Sequence, residues 1–504
     1  MMADKTFLIW AITAFLLLYI VVILWIGKLG AKHSKNMRGY SLARGQVSPW
    51  VIGVSFGATF ASANLFLGVP GWAYTYGAPT LWWTFGCFAL TWGGLVLFAR
   101  KFWHDGQRNG GALTLPHWLK IRYNSTAIQV IVGFLTLFNI YYIVGQNVGL
   151  ATTFETIMGL PYFWGVVLGV VVTIAYLFVG GAYAQYIGDA IQGILMCVCG
   201  VVLFGSLAWT IGGGWNFLGE LGARLNAIDP ALTAPVAKTG PFYSWMAILS
   251  IEWLLFTFGL LPHLMNKVLS IDKEEGLRPF ILSSGITLFL LSCFAVFAGM
   301  AARVLMPELP SADAAIPAYI EHAFPTVVVA IMVGGLLSAI LSTTNSLYLG
   351  MSAIIGNDIF KPLIAPFIYG KSEDSEVQTD KGTLLVSRAG LLVIGVVSMV
   401  MSFKRPDSLA LLTQFGISAI ISGVIAPITL GYIWKRANRT GALVSTLGGA
   451  GCYIVLSTFG IQNNVFIALG ISSILGFALM IAVCLVTSPQ SASEKSAGYA
   501  VGLE

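Results

Sequence analysis

The chain is dominated by long apolar runs, and that feature restricts its fold more than any other. Splitting it at polar, Gly-rich and Pro-rich breaks gives thirteen runs, at about 7–27, 50–76, 79–99, 126–149, 162–180, 189–211, 244–265, 280–303, 325–354, 384–403, 408–433, 441–460 and 465–487. Each is near or above the roughly 20 apolar residues that carry a helix across a bilayer. Only 10% of the 504 residues are charged and 57% are hydrophobic, where a soluble domain carries about 25% charged. The pattern predicts an all-α membrane protein of about thirteen transmembrane helices in a lipid bilayer, with no length left for a large soluble domain. The first run is too long for a signal-peptide core and ends in a basic loop without a small-residue cleavage site, so it is expected to be a retained helix.

A net charge of +6 would suggest nucleic acid in a soluble protein. Here the Lys and Arg residues sit in short loops between apolar runs, where they report topology, and no nucleic-acid partner is expected. With the N-terminus outside and the C-terminus cytoplasmic, all but six of the 27 basic residues fall on the inner side. The six are Lys5, Arg224, Lys238, Arg303, Lys404 and Arg405, and the last two form a local exception on the outer side. Such a bias supports an odd number of spans in a plasma or bacterial inner membrane. The outer loops 212–243 and 306–325 are expected to carry short surface helices, and the polar inner segment 369–381 reads as a mobile loop. The six cysteines all lie in apolar runs, where a thiol packs as a small hydrophobe.

Several functions lack their motifs. There is no G-x-x-x-x-G-K-[ST] phosphate loop for ATP-driven transport, no H-E-x-x-H pair and no G-x-S-x-G elbow, so an enzyme is a poor fit.

Polar residues at membrane depth are the informative ones. The second span reads Gly57-Ala58-Thr59-Phe60-Ala61-Ser62-Ala63-Asn64, small and polar at mid-helix. One reading is close helix packing; the other is a broken helix whose freed carbonyls coordinate a cation. In the ninth span Ala339, Ser342, Thr343 and Ser346 follow i, i+3, i+4, i+7 spacing, which puts two hydroxyls and a nearby carbonyl on one face. Such hydroxyls commonly bond back to their own backbone, yet neutral oxygens also suit a hard ion such as sodium. Two acids stand near membrane depth. Asp189 opens the sixth span, as a helix N-terminal acid or a functional one, and Glu252 lies about eight residues into the seventh.

These residues resemble the sodium/solute symporter family, which includes the sodium/pantothenate, sodium/proline and sodium/glucose symporters. The resemblance runs from about Tyr40 to Gly441. It rests on Gly39-Tyr40-Ser41-Leu42-Ala43-Arg44-Gly45, the stretch LGVPGWAYTYG ending at Gly77, and the Gly-Gly segment that leads to Asp189 and Gln192. Gly259-Leu260-Leu261-Pro262-His263 followed by Lys267, the run Ala339 to Ser346, and PITLGYIWKRANRTG from Pro427 to Gly441 complete it.

The resemblance implies a leucine-transporter-type core of two inverted five-helix repeats. Residues 1–49 would hold the first helix and a basic loop, 50–212 the first repeat (spans two to six), 213–433 the second (spans seven to eleven), and 434–504 the last two helices and a short tail. It further implies a coupling sodium ion held by the carbonyls of Ala58, Ala61 and Ala339 and the hydroxyls of Ser342 and Thr343. Some members have a further cation site, matched here by Ser342, Asn345, Ser346 and Asp189, which alternatively form an exit path. Asn345 departs from the hydroxyl or acid found there in several members, which counts against a second sodium.

For the solute, Phe60 stands where the proline symporter carries an acid, Thr257 where the sugar symporter has a gating tyrosine, and Leu65 where that protein has a sugar-contacting glutamine. The expected activity is sodium-coupled symport of a small organic solute, leaning to a carboxylate such as pantothenate or a short-chain monocarboxylate. Amino-acid or sugar symport and a transporter-like solute sensor are the alternatives. Asn64, Gln146, Asn147, Thr257 and Phe258 are the expected substrate-cavity residues.

Overall fold

The computed structural model describes residues 5–107, 111–370, 373–405 and 409–488. Arg108, Lys371 and Lys495, counted above on the inner side, lie outside the described residues.

A backbone in lipid must satisfy its polar groups internally, and the apolar runs accordingly form helices, with no strand among the described residues. The crossing pieces are α1 (Lys5–Gly30), α2 (Pro49–Phe60), α3 (Val69–Tyr76), α4 (Leu81–Gly106), α5 (Thr126–Thr136) and α6 (Asn139–Met158). They continue with α7 (Tyr162–Thr210), α8 (Trp245–Phe258), α9 (Pro262–Leu269), α10 (Leu277–Ser292) and α11 (Ala295–Leu305). The last are α12 (Thr326–Ile354), α13 (Glu373–Ser402), α14 (Leu409–Ile433), α15 (Arg439–Thr458) and α16 (Val465–Val486). Polar caps start several of them: Ser244 accepts the Ala247 N–H, Asn438 the Gly441 N–H, and Asn464 the N–H groups of Phe466 and Ile467.

Among the described residues, eleven segments are long and apolar enough to cross a membrane, and the bent pair α2 and α3 makes a twelfth. One of the eleven, α7, has 49 residues. At 1.5 Å per residue a straight helix of that size would run about 74 Å, more than twice the ~30 Å hydrocarbon layer. It breaks at Gly181, with φ 53° and ψ −146°, into two crossings. The total then agrees with the thirteen runs read from the sequence.

The bundle is layered by burial. The outward face of α1 is apolar, with Trp10, Leu18 and Val21 between 63% and 70% exposed. By contrast α12 is buried along most of its length, from Met332 to Ile354 without interruption. It packs against both α7 and α2, and so forms the axis on which the polar residues are hung.

Two expectations change. Segment 369–381 is not a loop throughout: from Glu373 it is the first part of α13, and Asp380 there accepts the Met37 N–H at 3.3 Å, which ties the helix start to the bundle. Asp189 does not open its span, because the helix resumes directly after Gly181 and places Asp189 two turns inside. The expected surface helices are present at Phe217–Ile228 and Ala315–Ala323.

Candidate functional site

The second span breaks where its small residues lie. Helix α2 stops at Phe60, Ala61 takes extended backbone (φ −71°, ψ 93°), and the chain restarts with a π turn over Asn64–Gly68, so that the two halves meet at 53°. Carbonyls at such an end lose their intrahelical donors, and here they are met by side chains from α12. Ser342 Oγ donates to the Ala58 carbonyl at 2.8 Å and lies 3.1 Å from that of Ala339. Thr343 Oγ1 lies 2.7 Å from the carbonyl of Thr59, 3.1 Å from that of Ala61 and 3.3 Å from that of Ala339. The five oxygens named from the sequence therefore form one cluster, with the Thr59 carbonyl added. Ser342 and Thr343 are both 0% exposed.

All these oxygens are neutral and hard, and each hydroxyl has lone pairs it can turn inward once its proton is redirected. That donor set fits an alkali cation and offers nothing to a soft metal. Ser342 and Thr343 also bond back to their own helix at Ala339, so the local habit of Ser and Thr and the cross-helix role coexist. Thr344, by contrast, bonds only its own backbone, to Ile340 O at 2.6 Å.

A second polar cluster abuts the first. Asp189, fully buried, accepts from Asn345 Nδ2 on Oδ1 at 3.1 Å; its Oδ2 faces Ser55 Oγ at 3.1 Å, Gln185 Nε2 at 3.1 Å and Ser346 Oγ at 3.3 Å. Into this group projects Lys267 from α9, 1% exposed, with Nζ 3.3 Å from Asp189 Oδ2. The same Nζ donates to the carbonyl and the hydroxyl of Ser55, each at 2.7 Å, and bonds the Thr59 hydroxyl. Lys267 is therefore not a loop residue reporting topology. It is a buried cation, carried inward because the seventh span is also broken, with α8 ending at Phe258 and α9 restarting at Pro262. The sequence signal for this was Gly259 and Pro262 flanking two leucines, a stop followed by a helix start.

The expected cavity residues divide. Asn64, Gln146 and Asn147 are buried at the break, and Asn64 Oδ1, Gln146 Nε2 and Asn147 Nδ2 have no hydrogen-bond partner among the described residues. Gln146 Oε1 accepts the Ala63 N–H at 2.9 Å, which fixes the amide orientation and leaves its NH2 as the free end. Thr257 Oγ1 is used locally, against the Trp253 and Leu254 carbonyls at 3.0 and 2.9 Å. Phe258 packs edge-on against Phe60, ring centroids 4.6 Å apart. Glu252 lies against Gly86 of α4, where an added Cβ would stand 2.2 Å from its Oε2, away from both clusters.

Known proteins resemble this chain in sequence and in fold. The sodium/pantothenate symporter of Haemophilus influenzae is 26% identical over 432 residues, covering 84% of this chain and 85% of that protein. The sodium/proline symporter 2 of Staphylococcus saprophyticus is 25% identical, covering 89% and 86%. A substrate-bound, outward-open structure of a Na+-coupled sialic acid symporter superposes with a TM-score of 0.78 at 19% identity, over 95% of this chain and 98% of that one. A nucleobase-cation-symport-1 family transporter in a closed conformation superposes with a TM-score of 0.55 at 12% identity, covering 91% and 98%. The fold is thus of the leucine-transporter type. Residues 40–449 match the family model described as sodium:solute symporter family, and the chain belongs to that family.

Proposed function

We propose that this sodium-coupled solute symporter carries a small carboxylate into the cell, with the coupling ion held by Ala58, Ala61, Ala339, Ser342 and Thr343. The observation that carries the reading is the meeting of a broken helix end with two α12 hydroxyls, Ser342 to Ala58 O at 2.8 Å and Thr343 to Ala61 O at 3.1 Å. A bound sodium ion supplies the positive charge that draws these oxygens together. The residues do the rest: Ser342 and Thr343 swing their protons away from the carbonyls, α2 is held against α12, and the polar ends of Asn64, Gln146 and Asn147 stay oriented toward the solute.

The carboxylate is supported by Gln146, whose free end is a donor by virtue of the bond its oxygen makes, and by the relation to pantothenate symporters. Thr257 and Phe258 would complete the wall of the cavity. Asp189, Asn345 and Ser346 lie next to the cluster, toward the side we assign to the cytoplasm. In this reading residues 50–212 and 213–433 are the two inverted repeats, flanked by 1–49 and 434–504. Each repeat begins with a broken helix, at 61–63 and at 259–261. The N-terminus lies outside and the C-terminus inside.

The test is uptake of labelled pantothenate, short-chain monocarboxylates, proline and glucose into proteoliposomes with and without an inward sodium gradient. Concentrative, sodium-dependent uptake of a carboxylate and of neither proline nor glucose is expected. Accumulation of proline or glucose instead would overturn the carboxylate assignment.

A further inference from the structure

On the side assigned to the outside, a cavity of about 540 Å³ lies between α3, the turn Gly240–Phe242, the loop that precedes Ala315–Ala323 and the start of α16. Gly71, which lines it, stands seven residues beyond Asn64. At 1.5 Å per residue that is roughly 10 Å along the helix, so the cavity is separate from the helix break. Much of its wall is aromatic. Trp72 and Phe466 meet edge-on with ring centroids 6.3 Å apart, Tyr76 is half-buried, and Tyr243 is 45% exposed, so the cavity opens to solvent.

Asp313 is the one acid in that wall. Gly71 leaves it room, since a Cβ there would stand 3.0 Å from Asp313 Oδ1. The backbone N–H of Asp313 bonds Ser311 Oγ at 3.3 Å, but its carboxylate has no hydrogen bond or ion pair among the described residues. Outer cations are engaged elsewhere: Arg224 with Glu220, Lys238 with Asp229, Arg405 with Glu155, and Arg303 over the Tyr74 ring. Burial pushes the Asp313 carboxyl above the usual carboxylate range, with no cation beside it to offset the loss of water.

We infer that this cavity binds a small organic cation, an alkylammonium whose charge faces Asp313 and whose carbon groups lie against Trp72, Tyr76, Tyr243 and Phe466. A hard metal ion takes a shell of several oxygens, whereas here one carboxylate stands among ring carbons. An alkylammonium gains from both, because aromatic faces attract a cation within about 6 Å. The volume lies within the roughly 300–1,000 Å³ of small-molecule pockets. This holds whichever solute the symporter carries.

The probe is choline. Purified full-length protein in sodium-free buffer of constant ionic strength is titrated with radiolabelled choline, and competition by its neutral isostere, in which carbon replaces nitrogen, is measured alongside. Saturable binding with Kd below about 1 mM is expected, with no displacement by the isostere at equal concentration. Asp313→Asn is expected to weaken binding about ten-fold, and Tyr243→Ala about two- to five-fold. No saturable binding in the wild type, binding undiminished in Asp313→Asn, or an isostere that competes as well as choline would each overturn the assignment. Because the Asp313 carboxylate bonds no neighbour, Asp313→Asn is expected to keep the wild-type midpoint of thermal unfolding. Should that midpoint fall, the isostere competition in the wild type and the Tyr243→Ala titration decide: an equal competitor, or choline binding unchanged by the loss of that ring, sinks the proposal.

Discussion

Thr343 has one proton and three carbonyls within reach, those of Thr59, Ala61 and Ala339. A hydroxyl so placed is over-supplied with acceptors, which makes it easy to convert from donor to ligand when a cation neutralises those carbonyls. Removing it takes away one coordinating oxygen, an interaction on the order of 1 to 2 kcal/mol when charge is involved. Thr343→Ala and Ser342→Ala are each expected to raise the sodium concentration for half-maximal uptake about ten-fold, the equivalent of about 1.4 kcal/mol. Thr344→Ala is the control, because that hydroxyl touches only Ile340 O. Sodium titrations of uptake for the three variants decide the matter. Equal shifts in all three would mean that helix stability, not coordination, is being measured.

At the scale of the element, glycine sets the hairpin between the fifth and sixth spans. Gly181 has φ 53°, in the left-handed region that favours glycine, and a Cβ there would stand 2.8 Å from both the Ser34 hydroxyl and the Tyr40 carbonyl. Gly181→Ala is expected to lower the midpoint of thermal unfolding in detergent and the yield of monodisperse protein, through both strain and collision with a fixed backbone oxygen. Gly205→Ala, which meets nothing within 4 Å, is expected to leave both unchanged, and fluorescence-detected size-exclusion after heating compares them. This hairpin also shows what sequence could and could not tell. The apolar runs were legible because bilayer thickness imposes their length, whereas Ala58, Ala61 and Ala63 showed only that the stretch around Phe60 faces protein or water, and left close packing and a helix break as equal readings. The depth of Asp189 was misjudged because the polar stretch 180–188 looks like a loop, whereas a single glycine makes the turn and the helix resumes at once. Lys267 was missed for a related reason. A lysine near the end of an apolar run normally snorkels to the interface, and only the second break, at 259–261, turns it inward to Asp189.

For the whole molecule the question is how much charge crosses the membrane in one cycle. The Lys267–Asp189 pair is internally neutral, and the outer exception noted in the sequence is largely balanced too, since Arg405 pairs with Glu155 at 2.6 Å. The charge carried per cycle is therefore set by the ion and the solute alone. One sodium with one monocarboxylate sums to zero. An inward-negative potential contributes about 2.3 kcal/mol per net charge per 100 mV, about fifty-fold in accumulation for each charge carried. In proteoliposomes with a fixed sodium gradient and a potassium–valinomycin potential of about 100 mV, the steady-state accumulation of a monocarboxylate is expected to match that at zero potential. A fifty-fold gain for that monocarboxylate in the wild type would require a second cation per cycle, because the labelled solute itself carries one negative charge.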